Sequence, residues 1–193
     1  MIAARRPKRK RRLLPILALI LAALAILAYL GYGYVMKRLY PMRYPEIIEE
    51  MSRESDLPPG LIFAVVRTES GFRPDAVSHL GARGLMQLTE ETFEWVRYRT
   101  GDSDAVYADL YDPEVNVRYG SQLLRLLLDE FGTVENALCA YHAGWGNVKS
   151  WLANPDYSSD GETLDRIPFR DTAHYVDKVE RAWNQYKKLY DLQ

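Results

Sequence analysis

The sequence is poor in the residues that metal and redox sites need. Its 193 residues include one cysteine and three histidines. A single cysteine excludes an internal disulfide framework and a cysteine-built zinc cluster. The histidines fall in no metal-ligand spacing, so no metal site is expected. Internal repeats are absent, as are alternating apolar and polar runs that would argue for a large sheet. Acids are missing from the first 45 residues, and cations are scarce after them. Ten of the 25 Lys and Arg residues precede Glu46, which leaves 15 against 26 acids and a charge of −11 for the remainder. The overall charge of −1 hides this segregation. An acidic body offers no basic surface for nucleic acid, so the basic end has another task.

Seven of the cations (Arg5, Arg6, Lys8, Arg9, Lys10, Arg11, Arg12) lie in residues 1–12, a basic head. Leu13 to Val35 then carries no charge. As a helix it would reach about 35 Å, enough for a hydrocarbon core of about 30 Å. Tyr29, Tyr32 and Tyr34 gather at one end, where amphipathic rings favour the membrane interface, and Lys37 and Arg38 follow. The cation bias predicts a single transmembrane anchor over 13–35, with the head in the cytoplasm and the body across the membrane. A cleaved signal peptide and a buried core helix are the alternatives. The run is longer than a signal core, and a core helix is ill suited to seven flanking cations. Residues 36–45 read as a linker and 46–193 as one domain.

The body reads as helices joined by loops. A short helix is predicted over Ile47 to Glu54. Pro59 suits the first turn of the next, which runs to about Ser70 with Ile62, Val65 and Val66 on its apolar face. Thr89 to Thr92 leads into another. Asp112-Pro113 is a cap and first residue, followed by the stripe Gly120, Leu123, Leu124, Leu127 and Phe131. Thr133 caps a helix ending at Gly144, and the last begins near Asp171-Thr172. Phe72 to Met86 admits a small hairpin. The predicted class is mainly α.

Most acids lie on solvated faces, but Glu69 continues the apolar stripe of its helix and sits at the C-terminal end. Burial and the helix dipole both disfavour its anion, and a raised pKa is what a carboxylic general acid needs near neutral pH. A buried glutamate bonded to backbone would show the same pattern. Gln87 stands in a glycine-bearing loop, Ala82 to Leu88, and offers both donor and acceptor. Tyr141 lies on a helical core face before Gly144 and Gly146, which let a ligand approach the backbone. His142 reads as an ordinary surface or core histidine, and Cys139 as a structural one.

Four strings are recognisable together. ESGFRPDAVSHLGARGLMQL (Glu69 to Leu88), DPEVNVRYG (Asp112 to Gly120), AYHAGWGNV (Ala140 to Val148) and IPFRDTAHYVDKV (Ile167 to Val179) resemble, in order, the soluble lytic transglycosylase family. These are lysozyme-like enzymes that cleave peptidoglycan. The resemblance implies a helical lysozyme-like domain with a glycan cleft over about residues 45–190. It implies Glu69 as the catalytic glutamate and Ser78, Gln87, Tyr141, Asp171 and Tyr175 as cleft residues. In the family the tyrosine matched by Tyr141 contacts the glutamate. Asp171 stands where a glutamate is usual, His142 where asparagine is common, and Thr89-Glu90 where Met-Pro usually follows.

Ordinary glycosidases use two carboxylates, and here only Glu69 has the right setting. One suffices if a hydroxyl of the substrate replaces water. The resemblance therefore implies cleavage of the MurNAc–GlcNAc bond to 1,6-anhydro-MurNAc ends, with peptidoglycan strands as partner and no cofactor. A muramidase like goose-type lysozyme, with Asp171 or Asp75 as second acid, is the alternative. A non-catalytic glycan-binding scaffold is the other.

Overall fold

The structure, a computed structural model, describes residues 10–192. Residues 1–9, most of the expected basic head, lie outside them. The described chain separates into two units, one ending at Pro41 and one beginning at Met42. The first holds helix α1, Lys10–Leu39, with Pro15 within it. Residues Pro15–Leu39 are long and apolar enough to cross a membrane by length and composition. The helix runs past Val35, through part of the expected linker, because nothing in Met36–Leu39 breaks it. Near its end Arg38 donates to the Tyr34 hydroxyl at 3.0 Å, one turn back.

The second unit contains helices α2 (Pro45–Ser55), α3 (Pro59–Glu69), α4 (Glu90–Thr100), α5 (Pro113–Phe131), α6 (Val134–Ala143), α7 (Trp145–Leu152) and α8 (Arg170–Tyr190), with a 3-10 turn at Tyr107–Tyr111. Local chemistry sets several boundaries. Pro59 opens α3. Thr89 caps α4 by accepting from the Thr92 amide. Asp112 accepts from the Glu114 and Val115 amides ahead of α5, and Thr133 accepts from Asn136 ahead of α6. Each such cap is worth about 1 kcal/mol.

Helix α3 is the centre of this unit. Leu61 to Val66 are all fully buried, so it is apolar all round rather than on the one face its periodicity suggests. It packs on α8, where Phe63 stacks with Tyr186 at 5.3 Å between ring centroids. Helix α5 packs against α2, α4 and α6, and α6 also meets α7 and α8. No named strand occurs among the described residues. The segment expected to hold a hairpin forms two isolated antiparallel bridges, Val77 with Arg83 and Arg83 with Leu88. The fold thus brings the C-terminus of α3, the bridged loop, α6 and the start of α8 together.

Candidate active site

Glu69 is the last residue of α3. The next residue, Ser70, is buried, and its hydroxyl bonds to the Val66 carbonyl at 3.2 Å and the Leu85 carbonyl at 2.8 Å. The second bond fastens the helix end to the bridged loop. Burial pushes the Glu69 carboxyl up to about 7, and the Tyr175 hydroxyl offsets only part of that. Position at the helix C-terminus acts in the same direction as burial.

Two tyrosines stand over this carboxyl. The Tyr175 and Tyr141 hydroxyl groups are both buried. Burial, and then the charge of Glu69, hold both well above the usual tyrosine range. Their bonding differs from expectation. Tyr141 donates to the Met86 carbonyl at 2.7 Å rather than to Glu69. Tyr175 is the phenol within reach of the carboxyl, although it closes no hydrogen bond of ordinary length and angle. The Tyr141 hydroxyl thus spends its proton on the loop and not on Glu69, while the phenol stays close enough to feel the Glu69 charge. Tyr141 lies on α6 one residue before His142, and its hydroxyl finds the loop carbonyl first.

The loop is itself clamped. Met86 donates its amide to the Asn116 side chain at 2.7 Å, and the Asn116 amide donates to the Arg83 and Leu110 carbonyls at 2.9 and 2.8 Å. Asn116 is fully buried on α5. A Cβ at Gly84 would come within 2.1 Å of the Asn116 side chain, and one at Gly120 within 2.3 Å of the Met86 sulfur. Glycine is required at both for close approach. Asn116 was not among the residues singled out in the sequence. Its place in DPEVNVRYG marks it only as a residue on the buried side of a helix.

Gln87 adopts a left-handed backbone, φ 50°, and donates its side-chain amide to the Ala76 and Gly84 carbonyls at 3.1 and 2.9 Å. Both donations go to the loop, and the amide oxygen keeps its acceptor capacity. The strained backbone fits a site residue held by its surroundings. The Ser78 hydroxyl accepts from the Leu80 and Ala82 amides at 3.3 and 3.0 Å. Asp171 is exposed in the first turn of α8, and the group it acts on is His142. His142 stacks on the Tyr175 ring at 4.6 Å, with Nδ1 3.1 Å from the Thr172 hydroxyl. Burial lowers its pKa, and Asp171 opposes this. Sequence reasoning gave His142 no part beside the carboxyl; the stack on Tyr175 provides one.

The other carboxyl raised by burial, Glu135, is exposed on α6 near Glu180 and Asp177. Asp75 is exposed as well. No group of three or more His, Cys, Asp or Glu side chains able to hold a metal occurs among the described residues. The arrangement is a single protonatable carboxyl at neutral pH, roofed by phenols and flanked by a rigid polar loop.

Residues 46–163 match the family model described as "Transglycosylase SLT domain". The soluble lytic murein transglycosylase of Escherichia coli K12 is 29% identical over 154 residues, covering 78% of this chain and 24% of that protein. A transglycosylase of Enterobacteria phage PRD1 is 39% identical over 112 residues, 58% of this chain and 38% of that one. Membrane-bound lytic murein transglycosylase C of Serratia proteamaculans is 28% identical over 171 residues, 76% and 47%. Among solved structures, an inactive mutant of the lytic transglycosylase Slt of Pseudomonas aeruginosa superposes with a TM-score of 0.69 and 33% identity over 80% of this chain and 25% of that one. The 70 kDa soluble lytic transglycosylase of Escherichia coli gives 0.71 and 25% identity over 79% and 25%. The chain spans about a quarter of the length of the soluble relatives. The mainly α, lysozyme-like fold expected from the sequence is borne out.

Proposed function

Because the chain belongs to the transglycosylase SLT domain family, we propose that it is a peptidoglycan lytic transglycosylase with Glu69 as its one acid–base group. The observation that carries this reading is the Glu69 carboxyl, poised near pH 7 by burial at the end of α3. A group titrating there is protonated often enough to act as an acid and, once ionised, is basic enough to act in return.

In the first step Glu69 protonates the glycosidic oxygen as the bond from MurNAc C1 to the GlcNAc oxygen breaks. The MurNAc ring becomes oxocarbenium-like, helped by its own 2-acetamido group. Ionised Glu69 then takes the proton from the 6-hydroxyl of the same ring, and that oxygen bonds to C1. The products are a GlcNAc end and a 1,6-anhydro-MurNAc end, with no water consumed and the glutamic acid restored. The nucleophile is already attached to the reacting ring, so proximity replaces a second carboxylate. Ser78 and Gln87 contact substrate from the loop, and Tyr175 orients the acid from above. Asp171 serves at the cleft edge. Exposure of Asp75 and Asp171 disfavours the hydrolase alternative, since neither shares the buried setting of Glu69. The Pseudomonas aeruginosa relative is inactive as a glutamate-to-glutamine mutant, which supports a mechanism resting on one such residue.

Residues 13–35 anchor the chain, the basic head stays in the cytoplasm and the domain from residue 46 works outside it. The apolar stretch Pro15–Leu39 and the likeness to a membrane-bound transglycosylase support this placement. Mass spectrometry of digested sacculi tests the chemistry: anhydro ends are expected from the unsubstituted chain and none from Glu69→Gln. Reducing ends instead would establish a hydrolase. Protease added to intact spheroplasts should remove the domain, and protection until lysis would reverse the topology.

A further inference from the structure

The imidazole of His142 lies on the Tyr175 ring, 28° from parallel with centroids 4.6 Å apart, and its Nδ1 is 3.1 Å from the Thr172 hydroxyl. His142 is exposed, whereas Tyr175 and Thr172 are buried. A hollow of about 580 Å³, bordered by Pro168, Phe169, Arg170 and Asp171, is also lined by His142 but not by Tyr175. The imidazole is thus a wall between that hollow and the tyrosine. We infer that His142 is a positioning residue: its ring holds the Tyr175 ring in the plane from which the phenol meets the Glu69 carboxyl. The inference rests on the transglycosylase reading, in which Tyr175 orients the acid, and names what orients Tyr175.

Helix packing brings the phenol to the acid. Helices α3 and α8 lie against one another. The N-terminal half of α3 meets the C-terminal half of α8: Phe63 stacks with Tyr186, and a Cβ at Gly60 would come within 3.1 Å of the Trp183 side chain. Tyr175, Val179, Ala182 and Tyr186 are all buried and follow at i, i+4, i+7 and i+11, one stripe of α8. The path along that stripe toward the start of α8 therefore leads toward the end of α3, where Glu69 sits. Two phenols are at that end. Tyr141 donates to the Met86 carbonyl. The Tyr175 hydroxyl is buried and closes no bond of ordinary geometry, so its proton is left for the carboxyl it reaches. Hydrogen bonds weaken steeply with angle, so small tilts of this ring decide how well the phenol serves the acid.

The stack limits those tilts. An imidazole lying flat on a phenol resists rotation of the ring beneath it. Thr172, about one turn before Tyr175 on α8, keeps the imidazole in its own plane. His142 thereby ties α6 to α8 at the phenol. An alanine there would open Tyr175 to the hollow and let water compete for its hydroxyl. The titratable and charged groups around the pair are Glu69 from α3, Tyr141 from α6, and Arg170 and Asp171 from the first turn of α8.

The test follows the titration of Glu69 by NMR in the full chain labelled with carbon-13 at glutamate carboxyls, its resonance identified by its loss in Glu69→Gln. A phenol that donates to the ionised carboxyl lowers the pH at which it titrates, so loss of the phenol raises that pH above the parent's value of about 7. Tyr175→Phe should raise it by about one pH unit, and His142→Ala by about half as much. Combining the two should give the titration of Tyr175→Phe alone, because His142 acts through the phenol. In sacculus digestion His142→Ala should lower kcat about fivefold with KM little changed. His142→Phe keeps a flat ring over Tyr175 and should stay within about twofold of the parent; it also serves should His142→Ala fail to fold. Additive effects of the two substitutions on the titration, or a loss in His142→Phe equal to that in His142→Ala, would overturn the inference. The carboxyl titration does not depend on turnover, so the two readings fail separately. Coupling of His142 to Tyr175 in a chain that releases no anhydro ends would keep the positioning and remove the transglycosylase. Anhydro ends with a Glu69 titration unmoved by His142→Ala would do the reverse.

Discussion

The Tyr141 hydroxyl donates to the Met86 carbonyl at 2.7 Å, tying α6 to the loop that holds Gln87. Tyr141 is 55 residues from Met86 in sequence, so the bond closes a long stretch of chain beside the acid. Glu69 meets the same loop through Ser70. Tyr141 and Ser70 thus fasten the same loop beside the carboxyl, and the charge of Glu69 reaches the buried Tyr141 phenol.

Tyr141→Phe should therefore have two effects. It leaves the Met86 carbonyl without its phenol partner, a cost of about 1–3 kcal/mol and a fall of several degrees in melting temperature. Turnover should drop roughly tenfold or more as the loop loosens. Calorimetry and a sacculus-digestion assay measure the two. Loss of stability with full turnover would make Tyr141 a packing residue only.

The pH dependence follows from Glu69. Its carboxyl titrates near 7 in the folded protein against 4.5 ordinarily. Between those values the folded state keeps a proton that the unfolded chain has released. The associated stability is fully present below about 4.5 and is lost as pH rises through about 7, by up to about 3 kcal/mol. Activity that needs the protonated acid should decline on the same alkaline limb. Glu69→Gln should abolish turnover and yet be more stable than the parent above pH 7. Denaturant melts at pH 5 and pH 8.5 give the comparison; identical pH profiles in the two proteins would count against burial as the cause.

Cys139 is fully buried on α6, and burial, then Glu135 and Glu180, push its thiol up to about 12. It should resist maleimide in the folded protein and react promptly after denaturation. Cys139→Ala should cost roughly 1–2 kcal/mol and leave turnover intact. An inactive but folded variant would reveal a nucleophile at odds with the single-glutamate mechanism.

Parts of this architecture were legible because their causes are local. Asp112 and Thr133 bond to amides two or three residues ahead, so the starts of α5 and α6 could be read from adjacent letters. Glu69 stood out because helical periodicity carried an acid onto an apolar stripe. Helix α7 was missed because no side chain caps it and Gly144 looks like an end, when its φ of 93° turns the chain directly into a new helix. The exchange of roles between Tyr141 and Tyr175 was also hidden. Each sits on an apolar helical face, and only the three-dimensional approach of α6 and α8 decides which phenol reaches a carbonyl and which the acid.

Asn116 shows the same limit most sharply and supports the last prediction. Its partners are Leu110, Met86 and Arg83, which lie 6, 30 and 33 residues away. One buried amide thus satisfies the Arg83 carbonyl and the Met86 N–H of the loop beside Glu69, and the Leu110 carbonyl of the 3-10 turn. Asn116→Ala would leave all three without that partner, and the side chain it removes also fills the space against Gly84. The expected cost is roughly 3 kcal/mol, larger than for Tyr141→Phe because several groups are orphaned together. Asn116→Asp should be worse still, since a carboxylate would face the Arg83 and Leu110 carbonyls without a proton to donate. If the clamp serves the site as well as the fold, Asn116→Ala should lower kcat even at temperatures well below its melting point, as Gln87 and Ser78 lose their fixed positions. Normal kcat at low temperature, with only the melting point reduced, would confine Asn116 to stability and leave Ser70 and Tyr141 to hold the loop over the acid.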